Sequence, residues 1–196
     1  MLILAATPIG NLSDASARLI EHLGTSKFIA AEDTRTLLKL ARGLGVKLDA
    51  KLFSLHEHNE AERVSQLLEI AATEDVLVVS DAGMPTVSDP GFVLVRAAIE
   101  AGIEVTVIPG PSAVLAALAV SGLPTDRFSF EGFLPRKSGE RRKVFQSLLL
   151  ETRTMVFFES PHRIDDALKD ALVVFGESRQ ATVSRELTKK FEQTVR

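Results

Sequence analysis

Short runs of consecutive apolar residues alternate along the chain with longer stretches whose apolar positions recur every three or four residues. The clearest run is Val76-Leu77-Val78-Val79, mostly β-branched and bounded by turn-forming residues. It predicts a strand buried on both faces, as in a parallel sheet. Residues 2–7, 28–31, 51–55 and 105–108 read as four further strands. Ser13 or Asp14 is placed to cap a helix running to about Leu23, with Gly24 as its stop. A second helix runs to about Leu44 and ends at Gly45. Asn59 is placed to cap a third, with Val64, Leu67, Leu68 and Ala71 on one face. Two more are expected near 92–101 and 112–120. This alternation predicts an α/β fold with a doubly wound parallel sheet and right-handed crossovers.

Gly122-Leu-Pro-Thr-Asp126 reads as a linker. Beyond it come an alternating strand around Phe128, Phe130 and Phe133, a charged segment at 135–143 leading into a helix to about Glu151, and a strand at 154–158. A helix near 164–174 and a last strand at 180–185 follow. The expected domains are therefore residues 1–121 and 127–196, the second also α/β.

Composition narrows the class. The 196 residues are 45% apolar and 25% charged, ordinary for a globular protein. There is no cysteine, which removes disulfides, thiolate metal sites and a thiol nucleophile, and suits a reducing, cytoplasmic compartment. No apolar run approaches the roughly 18 residues that a membrane span needs. The apolar start Met1-Leu-Ile-Leu-Ala-Ala lacks a basic flank and reads as a strand, not a signal peptide. With a net charge of −3, nucleic-acid binding requires a local basic patch.

Chemistry-bearing residues gather where strands end. In open α/β sheets ligands bind outside the carboxyl ends of the strands. The loop S-D-A-G-M-P-T-V-S-D-P-G at 80–91 is such a place, although its Asp and Ser equally suit capping of the next helix. Glu32-Asp33-Thr34-Arg35 puts carboxylates and a guanidinium at another strand end. Asp33 is a candidate general base and Arg35 a phosphate contact, or both belong to a capped helix start. His56 and His58, with Glu57 and Glu60 beside them, lack further ligands for a metal, so no metal site is expected and substrate contact or a solvated loop is favoured. Arg136, Lys137, Arg141, Arg142 and Lys143 form a basic run that is either a solvated face or a grip on nucleic-acid phosphates. Pro109-Gly110-Pro111-Ser112-Ala113 lets backbone approach a ligand at a helix N-terminus, or forms a rigid hinge. The first strand is not followed by G-x-G-x-x-G, and no P-loop occurs, which argues against a nicotinamide or flavin enzyme.

Together these motifs resemble a known family. T-P-I-G-N-L-S-D at 7–14, E-D-T-R at 32–35, H-E-H-N-E at 56–60, S-D-A-G-M-P at 80–85, S-D-P-G at 88–91, P-G-P-S-A at 109–113, G-F-L-P-R-K at 132–137, S-P-H-R at 160–163 and S-R-E-L-T-K at 184–189 occur in order. The chain resembles the bacterial small-subunit ribosomal RNA methyltransferases that 2′-O-methylate a cytidine in the decoding centre of 16S rRNA. These belong to the tetrapyrrole methylase superfamily, the class III S-adenosylmethionine (SAM)-dependent methyltransferases.

The resemblance implies two α/β domains with SAM in the cleft between them, and a homodimer. It implies cofactor contacts at Pro8, at Ser80, Asp81, Ala82 and Gly83, at Pro109, Ser112 and Ala113, and more loosely at Phe158, Glu159, Ser160 and Ser184. Members of the family continue past the S-R-E-L-T-K segment, so the second domain is expected to be incomplete at Arg196. A ribose hydroxyl must lose its proton to attack a methyl group, and Asp33 and His56 are the candidate bases. Arg35, Arg163 and the basic run at 136–143 are the expected RNA contacts, with no DNA partner, since the target 2′-hydroxyl is what distinguishes RNA. Methylation of a tetrapyrrole carbon is the alternative within the superfamily. A non-catalytic ribosome-binding module is the alternative outside enzymology.

Overall fold

The computed structural model describes residues 1–56 and 58–196. Glu57 lies outside the described residues. The chain divides into two compact units, one of Met1–Ala113 with Thr188–Lys190, the other of Val114–Leu187 with Phe191–Arg196. The division falls after Ala113, the first residue of the helix at Ala113–Ser121, earlier than the Gly122–Asp126 segment read from the sequence as a linker.

The first unit is built on five parallel strands: β1 (Leu2–Ala5), β2 (Phe28–Ala31), β3 (Lys51–Ser54), β4 (Val76–Val79) and β5 (Val105–Ile108). They lie in the order β3-β2-β4-β1-β5. All four residues of β4 are buried, as its unbroken apolar run requires. The pleat sends alternate side chains to opposite faces. Leu2, Val76 and Val78 pack with Leu67 and Ala71 of α3 (Glu60–Ala71) and with Leu94 and Ala98 of α4 (Phe92–Glu100). Ile3, Ala5, Leu77 and Val79 face the other way, against Leu19 and Leu23 of α1 (Ala17–Thr25) and Leu37 of α2 (Thr34–Gly43). The sheet is therefore covered on both sides, two helices to each.

Helix starts differ from expectation where several oxygen-bearing side chains compete. Leu12–Asp14 forms a short 3-10 turn, and Ser16 rather than Ser13 or Asp14 caps α1, accepting the Leu19 amide at 3.1 Å. Asn59 precedes α3 without capping it. Its side chain turns back instead, accepting the His56 amide at 2.8 Å and donating to the Ser54 carbonyl at 3.0 Å.

The second unit holds α5 (Ala113–Ser121) from Val114 on, and pairs β6 (Phe128–Phe133) in parallel with β7 (Thr154–Phe158). The register shifts between Phe130 and Phe133, and Gly132 there has φ 70°. Helices α6 (Ser138–Ser147) and α7 (Ile164–Phe175) meet over a core of Leu134, Phe145 and Ala167. The helix expected to follow the charged segment begins inside it, at Ser138, and stops at Ser147. The last expected strand is β8 (Val183–Arg185), which is joined by β9 (Gln193–Val195) in an antiparallel pair not read from the sequence.

Candidate active site

Ala5 is level with Val79 on one side and with Ile108 on the other, while Ala31 is level with Val79 and Ser54. All five strands thus end along one edge, and the expected loops emerge there side by side. The chain leaves β1 toward the face carrying α1 and leaves the adjacent β4 toward the face carrying α4. Neighbouring loops that part to opposite faces open a crevice, the usual ligand position in this class of sheet.

Two backbone hydrogen bonds clip these loops together. The Thr7 amide donates to the Gly83 carbonyl at 2.8 Å, and the Gly83 amide returns to Thr7 at 3.0 Å. The Thr7 hydroxyl donates to the Ser80 carbonyl at 3.2 Å, and the Ser80 hydroxyl to the Gly83 carbonyl at 3.1 Å. Both hydroxyls therefore hold the loop itself. Gly83 sits at φ 87°, a conformation that favours glycine. At Gly110 a Cβ would stand 2.9 Å from that of Ala6, so the loop after β5 lies close against the end of β1. Pro8 is buried, Asp81, Ala82 and Pro109 are exposed, and Ser112 and Ala113 are half-buried.

Asp33 and Arg35 are brought together as an ion pair, 2.7 Å apart. Asp33 precedes α2 and accepts the Arg35 amide at 2.8 Å, its Nε at 3.0 Å and its Nη2 at 2.7 Å. The Arg35 guanidinium, followed by its amide, holds the carboxyl down to about 2, which makes it a weak proton acceptor. The Asp33 amide donates to Asp81 at 3.2 Å, joining the ends of β2 and β4. His56 is half-buried, and its Nδ1 has no hydrogen-bond partner among the described residues. Among the described residues no cluster of His, Cys, Asp and Glu is arranged to hold a metal ion.

Two carboxylates near this edge were given no role in the sequence reading. Asp89 is half-buried in the loop after β4. Burial, then the nearby Glu32, raise its carboxyl to about 6, against a hydrogen bond with Ser80 that lowers it. Glu60 is buried and accepts three amides of the segment entering α4. Both belong to motifs already visible, S-D-P-G and H-E-H-N-E, but nothing in the spacing says which neighbours they meet.

In the second unit, two of the expected RNA contacts are engaged by carboxylates of their own unit. Arg141 is buried, its guanidinium 2.6 Å from Asp170, with further donations to the Pro135 and Arg136 carbonyls. Arg163 pairs with the buried Glu159 carboxylate at 2.6 Å. Arg136, Lys137, Arg142 and Lys143 are exposed, with Arg142 also reaching Asp170 at 2.6 Å. Glu159 further accepts the Ser160 amide at 2.6 Å, Phe158 stacks edge-on with Phe130, and the Ser184 hydroxyl meets that of Thr194 at 2.9 Å.

A family model described as Tetrapyrrole (Corrin/Porphyrin) Methylases matches residues 1–196. The chain belongs to the tetrapyrrole methylase family. It is a methyltransferase that uses S-adenosylmethionine. A Mycobacterium tuberculosis protein named ribosomal RNA small subunit methyltransferase I is 52% identical over all of this chain, which covers 69% of that relative. Its Escherichia coli O157:H7 namesake is 47% identical over 97% of this chain and 66% of its own length. Among solved structures, the methyltransferase CobJ superposes with a TM-score of 0.70 at 20% identity, over 99% of this chain and 84% of its own. Diphthine synthase does so with a TM-score of 0.70 at 16% identity, over 98% and 79%. These two show a shared fold.

The first-unit edge fits the methylase cofactor chemically. Gly83 and Gly110 bring bare backbone to the crevice, which suits close contact with a nucleoside, and the exposed Asp81 carboxylate suits its ribose hydroxyls. With its hydroxyl committed to Gly83, Ser80 has its backbone to offer.

Proposed function

We propose that this protein transfers a methyl group from SAM to the ribose 2′-hydroxyl of a cytidine in small-subunit ribosomal RNA, acting in the cytoplasm as a homodimer. The observation that carries this reading is 52% identity, over the whole chain, to a relative named for methylating that RNA. The bound cofactor supplies an electrophilic methyl group on a sulfonium. The loops at 7–10, 80–83 and 109–113 hold it, and the clip between Thr7 and Gly83 keeps the first two in place before the substrate arrives. Fixing the reacting groups in line is the main catalytic requirement of such a transfer.

The hydroxyl proton goes to a group on the same edge. Asp89 is poised near neutrality, and His56 presents a ring nitrogen without a partner among the described residues. Asp33 instead holds the Arg35 guanidinium as a fixed fork for a phosphate. Arg136, Lys137, Arg142 and Lys143 add an exposed basic surface at the start of α6.

The test uses SAM labelled in its methyl group and small subunits from cells lacking this modification. A 2′-O-methyl group blocks alkaline cleavage at its own phosphodiester, so the label should appear in an alkali-resistant dinucleotide containing cytidine. Label in single nucleotides would place the methyl on a base. Transfer only to a reduced tetrapyrrole would establish the alternative within the family. Salt-sensitive binding to small subunits without transfer would make the protein a binding module.

A further inference from the structure

α4 begins at Gly91, which has φ 118° and no side chain with which to cap the helix. Free amides at a buried helix start are costly unless something accepts them. A single oxygen, Glu60 Oε1, accepts the amides of Gly91 at 3.0 Å, Val93 at 3.0 Å and Leu94 at 3.2 Å. Glu60 is 8% exposed and opens α3, so the capping group comes from a different helix. The loop thus anchored contains two non-glycine residues at positive φ, Thr86 at 74° and Ser88 at 61°. Such conformations persist only where the surroundings impose them. Next to Glu60, Asn59 clamps the turn that carries His56.

We infer that Glu60 is a positioning residue of the methyltransferase site, its carboxylate fixing the far end of the 80–91 cofactor loop while the neighbouring Asn59 fixes the His56 turn. One dipeptide then sets the relative placement of two loops that the reaction uses. The inference rests on the reading of 80–91 as cofactor-binding.

The test compares Glu60→Gln, Glu60→Asp and Glu60→Ala in the full chain. Leu67→Ala, a core change on the same helix, serves as a control for lost stability. Binding of S-adenosylhomocysteine is read by calorimetry well below each thermal midpoint, and exchange of the Gly91, Val93 and Leu94 amides by NMR. Glutamine keeps an acceptor at the same reach, so Glu60→Gln should bind within a few-fold of the parent. Glu60→Asp withdraws the oxygen by one methylene, and Glu60→Ala removes it. Both should expose the three amides and weaken binding about ten-fold or more, the loss expected from a buried charge-assisted contact. Leu67→Ala should bind as the parent does.

Parent-like binding in Glu60→Asp or Glu60→Ala with the three amides exposed would overturn the inference. So would equal weakening in Leu67→Ala, which would reduce the effect to stability. Equal weakening in Glu60→Gln would show that acceptor geometry is not what matters. If the parent itself fails to bind S-adenosylhomocysteine, the reading of the loop falls, while the amide exchange still reports whether Glu60 holds it.

Discussion

Arg141 and Asp170 form a buried ion pair, 2.6 Å apart, that fastens α6 to α7. Both side chains are only 4% exposed. Burial works against the Asp170 charge, but donors on Arg142, Ser138 and Arg141 outweigh it and lower its pKa. Removing one partner strands the other charge away from water. Asp170→Ala should therefore lower the thermal midpoint most, Arg141→Ala next and the exposed Arg142→Ala least. Because the folded pKa is lowered, the stabilisation is present above the ordinary Asp range and is lost as pH falls below it. Thermal melts of the three variants at neutral and acidic pH check both statements.

The same pair sorts the basic run into structural and available cations. Arg136→Ala and Lys143→Ala should each weaken RNA binding and flatten its salt dependence by roughly 0.7 to 0.9 in logarithmic slope, the share of one phosphate contact. Arg141→Ala, compared under conditions where it is folded, should leave that slope alone. Filter binding across a salt series measures it.

Asp89 gives a pH dependence of opposite sign. Its carboxyl is raised from 3.8 to about 6, so between those values the folded protein holds a proton that the unfolded chain has released. The contribution of this group to stability is fully present below the lower value and is lost as pH rises through about 6. Asp89→Asn, which keeps the side chain's shape but cannot ionise, should raise the thermal midpoint by a few degrees above pH 7 and leave it unchanged near pH 3. If Asp89 takes the hydroxyl proton, turnover should have an acid limb near 6 that this variant abolishes together with most of the rate. His56→Gln retaining that limb would assign it to Asp89.

Asp33→Ala should leave the binding of S-adenosylhomocysteine unchanged and reduce turnover about ten-fold or more by freeing the Arg35 fork. Arg35→Lys should not rescue a lost fork, since an ammonium cannot reproduce two parallel donations. Steady-state kinetics of the two variants decide this. Full turnover in Asp33→Ala would remove the pair from the mechanism.

Gly83 and Gly110 resist substitution for different reasons. Gly83→Ala forces a side chain into φ 87°, a strain of about 1–2 kcal/mol, with its new Cβ only in ordinary contact with Ile9. Gly110→Ala adds no such strain but drives a methyl against Ala6, an overpacking cost of about 1–3 kcal/mol. Denaturant melts give both values. Gly83→Asn, which tolerates positive φ better, should recover part of the first loss and has no counterpart at Gly110.

The strands and most helices were legible because one physical rule governs them. The run at 76–79 is apolar throughout because both faces of β4 are buried, and the spacing of Leu67 and Ala71 follows the face of α3 that is buried. The motif loops were legible as loops. What each polar side chain does there was not. Glu60 and Gly91 are far apart in sequence, and the capping bond between them exists only once α3 and α4 pack together. Arg141 looks like its neighbours in a basic run until α7 brings Asp170 to it. The Asp33–Arg35 fork spans two residues, yet strand-end chemistry and helix capping call for the same residue types, so the pattern left both open.

Among the described residues β1 has ladder partners in β4 and β5 alone, and its register sets Leu2 beside Val76 and Val105. Parallel neighbours so distant in sequence carry a large loop-closure cost before any bond repays it. During synthesis β1 therefore waits, unpaired and apolar, until β4 has emerged, and it gains its other flank only with β5. A central strand of the sheet is thus the one that needs longest protection from wrong partners in the growing chain.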